Sequence, residues 1–296
     1  MQSSVRLVGV LITAAVFLSG CAGFGKLSDG GVEMAQTPIT ENPSGMTYPG
    51  KFIWHDLLTS DSLSAGKFYE KLFGWQIDYQ GQYAVVRNNG KLIAGILQVA
   101  PSDDRAREGV WIPSVSVADV DAAADLVNAN GGKILKGPVD MDQRGRVVLI
   151  SDPQRADLVL LSAKGGDPAD AEAAIGDWLW DEIWTDDPDN IEAFYASVLG
   201  YDEIASGDEY DVFKYKGKWR AGVRHMQDTR EHMLWVPVVR VADPDEITKR
   251  VVELGGVVWV TPDEAPGNGD TALIGDTTGA LLLIQRWPSQ ASEGGN

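Results

Sequence analysis

Asp56 and Glu182 are the residues of this chain best suited to proton chemistry. Each lies inside a run of bulky, strand-forming residues, Trp54-His55-Asp56-Leu57-Leu58-Thr59 and Trp180-Asp181-Glu182-Ile183-Trp184-Thr185. Desolvation raises a carboxylate pKa, and a carboxylate so placed can act as a general base. His55 is the third catalytic candidate, as a donor of a metal site, although with Asp56 it supplies only two ligands. Side chains alternate along a strand, so Trp54, Asp56 and Leu58 should share one face and His55, Leu57 and Thr59 the other. The same alternation gathers a candidate ligand-binding set of Trp54, Asp56, Trp180, Glu182, Trp184, Arg220, Arg240 and Gln285. Apolar walls carrying a few convergent polar groups are what small-molecule pockets need, and Arg220 or Arg240 could pair with an anionic group or with Glu182. The competing reading is core filling. There Trp54 and Trp180 close the interior, Asp56 and Glu182 are satisfied by neighbouring donors, and Arg220 is solvent-exposed.

The elements that must position these residues occur twice. Trp54-His55-Asp56 returns as Trp180-Asp181-Glu182, and Phe68-Tyr69…Leu72-Phe73-Gly74-Trp75 returns as Phe194-Tyr195…Val198-Leu199-Gly200-Tyr201, both 126 residues later. Trp111-Ile112-Pro113 and Gly131-Gly132 return as Trp235-Val236-Pro237 and Gly255-Gly256, 124 residues later. A repeat this long means two copies of one domain, expected over 50–164 and 177–288 with a linker over 165–176. Within a copy the order is strand, capped helix, three strands, then the same again, which predicts an α+β fold with helices on one face of a mixed sheet. Asp61 or Ser62 should cap the first helix and Gly74 end it. Where the second copy carries Arg220 and Arg240, the first has Ile93 and Ser116, so the second is the expected binder of a charged ligand.

Outside the repeat, residues 1–20 read as a signal peptide, with Arg6 before an apolar run too short to span a bilayer. Leu18-Ser19-Gly20-Cys21 resembles a bacterial lipobox, which would make Cys21 a lipid attachment point. Residues 21–49 are then a flexible tether and 289–296 a soft tail. Cys21 is the only cysteine, so there is no internal disulfide and no thiolate cluster. The lipobox resemblance implies the bacterial cell envelope, and Ala22 rather than aspartate after the cysteine implies, by the same resemblance, the outer membrane facing the periplasm, with the lipid as the only membrane contact. A net charge of -18 argues against nucleic acid as a partner. There is no Gly-x-Ser-x-Gly, P-loop or His-Glu-x-x-His motif.

The order strand, Asp, helix with Phe-Tyr and Leu-Phe-Gly-Trp, then Val-x-Asp-Val-Asp-Ala, Gly-Gly-Lys, Gly-Arg and an Asp-Pro turn resembles the vicinal oxygen chelate superfamily. That group contains glyoxalase I, the bleomycin-resistance proteins and the extradiol dioxygenases. The resemblance covers residues 50–288 and implies paired βαβββ modules curling into open, barrel-like sheets around a cleft. It also implies metal-ligand positions, which here are Trp54, Ile112, Val159, Trp180, Val236 and Leu283. None offers an N, O or S donor suited to a divalent cation, so neither a metal nor another cofactor is expected. The resulting expectation is an envelope lipoprotein that binds a small organic molecule. The alternatives are a lyase or oxidoreductase with a rearranged site, or a structural module for an envelope protein partner.

Overall fold

The structure is a computed structural model that describes residues 36–101, 109–226, 233–266 and 269–288. Two mixed sheets of eight strands, one per copy, are built in the same way. In the first copy β1 (Phe52–Thr59), α1 (Ser62–Phe73), β2 (Gln76–Gln80), β3 (Tyr83–Asn88) and β4 (Lys91–Gln98) form one module. β5 (Val110–Ser116), α2 (Val120–Ala129), β6 (Lys133–Met141), β7 (Gly145–Ser151) and β8 (Asp157–Ala163) form its companion. The strand order is β2-β3-β4-β1-β5-β8-β7-β6, with β1 parallel to β4 and antiparallel to β5 at the centre. The second copy repeats the plan with β9 (Trp178–Thr185), α3 (Pro188–Leu199), β10 (Glu203–Ala205), β11 (Tyr210–Tyr215) and β12 (Lys218–His225). It continues with β13 (Leu234–Val241), α4 (Pro244–Glu253), β14 (Val257–Val260), β15 (Thr271–Gly275) and β16 (Leu281–Arg286), in the equivalent order. Each sheet curls into an open cup and does not close into a barrel.

Local chemistry explains the helices. Asp61 caps α1 by accepting from the Ser64 amide at 2.9 Å, and Gly74 ends it in the left-handed region at φ 76°, where a side chain would be strained. Ala65, Phe68, Tyr69 and Leu72 follow helical spacing and are all buried. Burying a side chain such as Phe68 or Leu72 contributes about 1.5–3 kcal/mol.

The helices lie on the outer faces of the cups and pack across the copies. One core joins Val115, Val148, Ile150 and Leu158 of the β5–β8 module with Phe194, Tyr195, Phe213 and Trp235 of the second copy. The other joins Leu57, Phe68, Tyr69 and Trp111 with Val239, Val251, Ile274 and Leu282. Two hydrogen-bond relays cross these cores. Trp111 Nε1 donates to Tyr69, whose hydroxyl donates to Asp276. Trp235 Nε1 donates to Tyr195, whose hydroxyl donates to Asp152. The most obvious repeated landmarks in the sequence therefore tie one copy to the other.

Residues 36–49, which fall within the stretch expected as tether, pack against the first domain. Ile39 is buried with Trp54 and Tyr83 in the first cup, and the amide of Ser44 donates to the carbonyl of Asp167. The apolar side chain of Ile39 drives this docking, and the backbone bond holds it.

Candidate functional site

Asp56 lies in the first cup, where β1 runs beside β4, and pairs in register with Gly95. A Cβ at Gly95 would collide with the hydroxyl of Tyr83 and with Asp56 itself, so the glycine makes room for that ring. Asp56 Oδ1 accepts from Trp54 Nε1 at 2.9 Å and from the Tyr83 hydroxyl at 2.6 Å. Arg144, in the turn between β6 and β7, donates to Asp56 Oδ2 at 2.8 Å and to Tyr83 at 2.7 Å, and its guanidinium lies 5.0 Å from the Trp54 ring. All four side chains are buried, with Asp56 the most accessible at 6%. Trp54, Tyr83, Leu97, Val147, Leu161 and Ile39 fill the rest of this cup.

Glu182 repeats the theme in the second cup. It pairs in register with Gly222, over which the Tyr210 hydroxyl sits. Glu182 accepts from Tyr210 at 2.9 Å and from Trp184 Nε1 at 3.4 Å, and takes two bonds from Arg224 at 2.8 and 3.0 Å. Here the arginine comes from β12 itself, four residues beyond the expected Arg220. Both carboxylates thus hold a tryptophan, a tyrosine and an arginine together. These donors occupy the groups that proton transfer would need.

Arg220 is neither solvent-exposed nor paired with Glu182, two of the positions the sequence left open for it. It is 9% exposed and grips Asp170 of the linker through two bonds of 3.0 and 3.2 Å. Its apolar surroundings and a linker carboxylate within reach explain the difference. Arg240 likewise pairs with Glu172 at 2.7 Å and donates to the carbonyl of Ala173. His55 faces away from the cup, as alternation requires. Its Nε2 lies 2.8 Å from Asp181 Oδ1, both residues are fully buried, and its ring stacks on Trp178 at 4.1 Å. Asp181 is the repeat equivalent of His55, so the pair sits where the two copies meet; burial raises the Asp181 pKa and the His55 contact opposes the shift. Cys21 lies outside the described residues.

Beside the second cup, the linker roofs a cavity of about 350 Å³. Trp178, Trp180, Trp219 and Trp287 wall it, Gln285 and Arg220 add polar groups, and His55 and Asp181 form its floor. Trp180 and Trp219 lie 6.0 Å apart and nearly parallel at 19°, and Trp219 continues to Trp287 at 6.2 Å. Lys51 also lines the cavity and donates to the carbonyls of Pro168 and Ala169 at 2.8 Å. Burial pushes its ammonium down to about 8 against the pull of Asp170 and Asp167. Of the expected ligand-binding set, Trp180, Arg220 and Gln285 meet here, whereas Trp54 and Asp56 are enclosed in the first cup and Glu182 and Trp184 in the second.

Sequence reasoning missed Tyr83, Tyr210, Arg144, Arg224, Trp219 and Trp287. Two of them left a readable signal: Tyr83 precedes Ala94-Gly95 by the same spacing as Tyr210 precedes Ala221-Gly222. The arginines left none, because they reach the two carboxylates from different elements.

The family model for the Glyoxalase/Bleomycin resistance protein/Dioxygenase superfamily matches residues 52–160. "Putative glyoxylase CFP32" of Mycobacterium bovis is 32% identical over 243 residues, covering 78% of this chain and 92% of that protein. The anthracycline biosynthesis protein DauV of a Streptomyces species is 28% identical over 269 residues, covering 82% of this chain and 97% of that one. The Mn(II)-bound glyoxalase from Novosphingobium aromaticivorans is similar in fold, with a TM-score of 0.58 at 14% identity, over 81% of this chain and 83% of that chain. With its doubled βαβββ plan and near full-length relatives, this chain belongs to the glyoxalase/bleomycin resistance protein/dioxygenase superfamily.

Proposed function

We propose that this protein binds a planar, aromatic small molecule in the linker-roofed cavity where the two domains meet. The observation that carries the reading is the wall of four tryptophans around about 350 Å³, within the range of about 300–1,000 Å³ usual for ligand pockets. Trp219 is 53% exposed and Trp287 37%, and a flat ligand inserted beside them would take that apolar area out of water. Binding fits better than proton transfer, because Asp56 and Glu182 are both tied up by arginine, tyrosine and tryptophan donors. A relative's name places it in anthracycline biosynthesis, and fused-ring aromatics present the flat face that such a wall accepts. The run Leu18-Ser19-Gly20-Cys21 supports a lipid anchor in a bacterial envelope as the setting.

The test is quenching of tryptophan fluorescence in the full-length protein by anthraquinone-2-carboxylate. Saturable quenching is expected, with affinity reduced roughly tenfold in Trp219→Ala, the loss of about 1.4 kcal/mol of stacking and contact. Equal affinity in the folded variant and the parent would refute the assignment.

A further inference from the structure

We propose that Glu192, Asp211 and His225 form a binding site for a divalent transition-metal ion of the zinc class, on the helix side of the second sheet. None of the three lines the tryptophan-walled cavity, so the site is independent of the binding function proposed above.

The three residues come from three elements. Glu192 lies in the second turn of α3, Asp211 in β11, and His225 at the end of β12. Since Tyr210 and Arg224 point into the cup, their neighbours Asp211 and His225 point outward toward α3. One donor atom from each of the three lies within 4.8 Å of the other two. His225 Nε2 is 2.6 Å from Asp211 Oδ2, and Asp211 Oδ1 is held by the amide of Gly207 at 2.8 Å. That amide fixes the carboxylate in the way outer-shell bonds orient metal ligands.

The second observation is at Glu192. Its Oε1 is shut off from solvent and meets no hydrogen-bond donor. It lies beside the Asp211 carboxylate, a pairing that either a shared proton or a cation can hold, and the imidazole of His225 completes a donor set for a cation. One imidazole and two carboxylates match the donor set of zinc, at about 2.0–2.2 Å, with a fourth position left for water. The imidazole disfavours magnesium and calcium, which take oxygen ligands.

The internal repeat supplies a control. The equivalents in the first copy are Gly66, Ala84 and Gln98. There the hydroxyl of Tyr79 occupies the space that a side chain at position 66 would need. The fold is therefore built without these three polar groups, and their meeting in the second copy is not a requirement of the βαβββ plan.

The test uses the full-length protein, stripped with EDTA and titrated with zinc chloride by isothermal calorimetry, with magnesium chloride for comparison. One equivalent of zinc should bind, with a rise in melting temperature and no matching response to magnesium. Glu192→Gln and His225→Gln should each weaken zinc binding roughly tenfold or more. Cys21→Ser should bind as the parent does. Glutamine keeps the size of Glu192 and the hydrogen-bonding capacity of His225, and circular dichroism would establish that both variants fold. Absence of a saturable zinc isotherm would overturn the proposal and leave the carboxylates sharing a proton. Zinc binding that survives both substitutions would overturn it too, by placing the ion elsewhere.

Discussion

Replacing Tyr195 by phenylalanine tests how the two copies are joined. The hydroxyl of Tyr195 accepts from Trp235 Nε1 at 2.8 Å and donates to Asp152 Oδ2 at 2.9 Å. Tyr195 is fully buried, Trp235 is 2% exposed and Asp152 3%, so water cannot replace either bond. Removing one oxygen leaves the indole N–H unsatisfied, at about 1–3 kcal/mol, and takes a donor from a carboxylate, at about 1.5–3 kcal/mol. The expected loss is therefore about 2.5–6 kcal/mol, read as a lower urea midpoint with an unchanged slope. Tyr69→Phe breaks the equivalent Trp111–Tyr69–Asp276 relay and should cost a similar amount. The relays share no partner, so the double variant should equal the sum within about 0.5 kcal/mol. Losses below about 1 kcal/mol in both single variants would refute the argument that these relays hold the copies together.

Two further outcomes follow from buried charge. Burial pushes the Asp152 carboxyl up to about 6 from an ordinary 3.8, so the folded state holds this proton more tightly than the unfolded chain. Its stabilising contribution is complete below about pH 4 and is lost as pH rises through 6, to a total of about 3 kcal/mol. Urea unfolding of the parent and of Asp152→Asn at pH 4 and pH 7 should show the gap between them changing by that order, and a constant gap would contradict it. Arg144→Met strips the cation from Asp56 inside the closed first cup and should cost about 3–5 kcal/mol by chemical denaturation. Adding Asp56→Asn should recover much of the loss, and an undiminished loss in the double variant would count against the ion pair as its source.

Much of the fold was legible because repetition and periodicity are local. The equal offset of Trp54/Trp180 and Tyr69/Tyr195 fixed the two copies, and strand alternation placed Trp54 and Asp56 opposite His55. Which module packs on which was not legible, since an apolar helix face such as Ala65, Phe68, Tyr69 and Leu72 is satisfied by any apolar partner. The arginines were hidden for a different reason. Arg144 lies 88 residues from Asp56, on a turn whose reach depends on the curl of the whole sheet. Arg220 and Arg224 share one face of β12, and only the register against β9 decides that Arg224 meets Glu182 while Arg220 meets the linker.

The two copies also differ in how their cups are covered. A pseudo-twofold relation matches strand to strand and places His55 against its own equivalent, Asp181, where the copies meet. The segments preceding β1 and β9 do not obey it. The segment before β1 inserts Ile39 among Trp54 and Tyr83, and Arg144 completes the closure of that cup. The segment before β9 is the linker, and Arg220, Arg240 and Lys51 hold it through Asp170, Glu172 and the carbonyls of Pro168 and Ala169. Held there, it becomes a roof and leaves the cavity between itself and Trp180, Trp219 and Trp287. The difference between a filled cup and a candidate binding site thus lies in two short connecting segments, on cups whose carboxylate, tyrosine and glycine are otherwise the same.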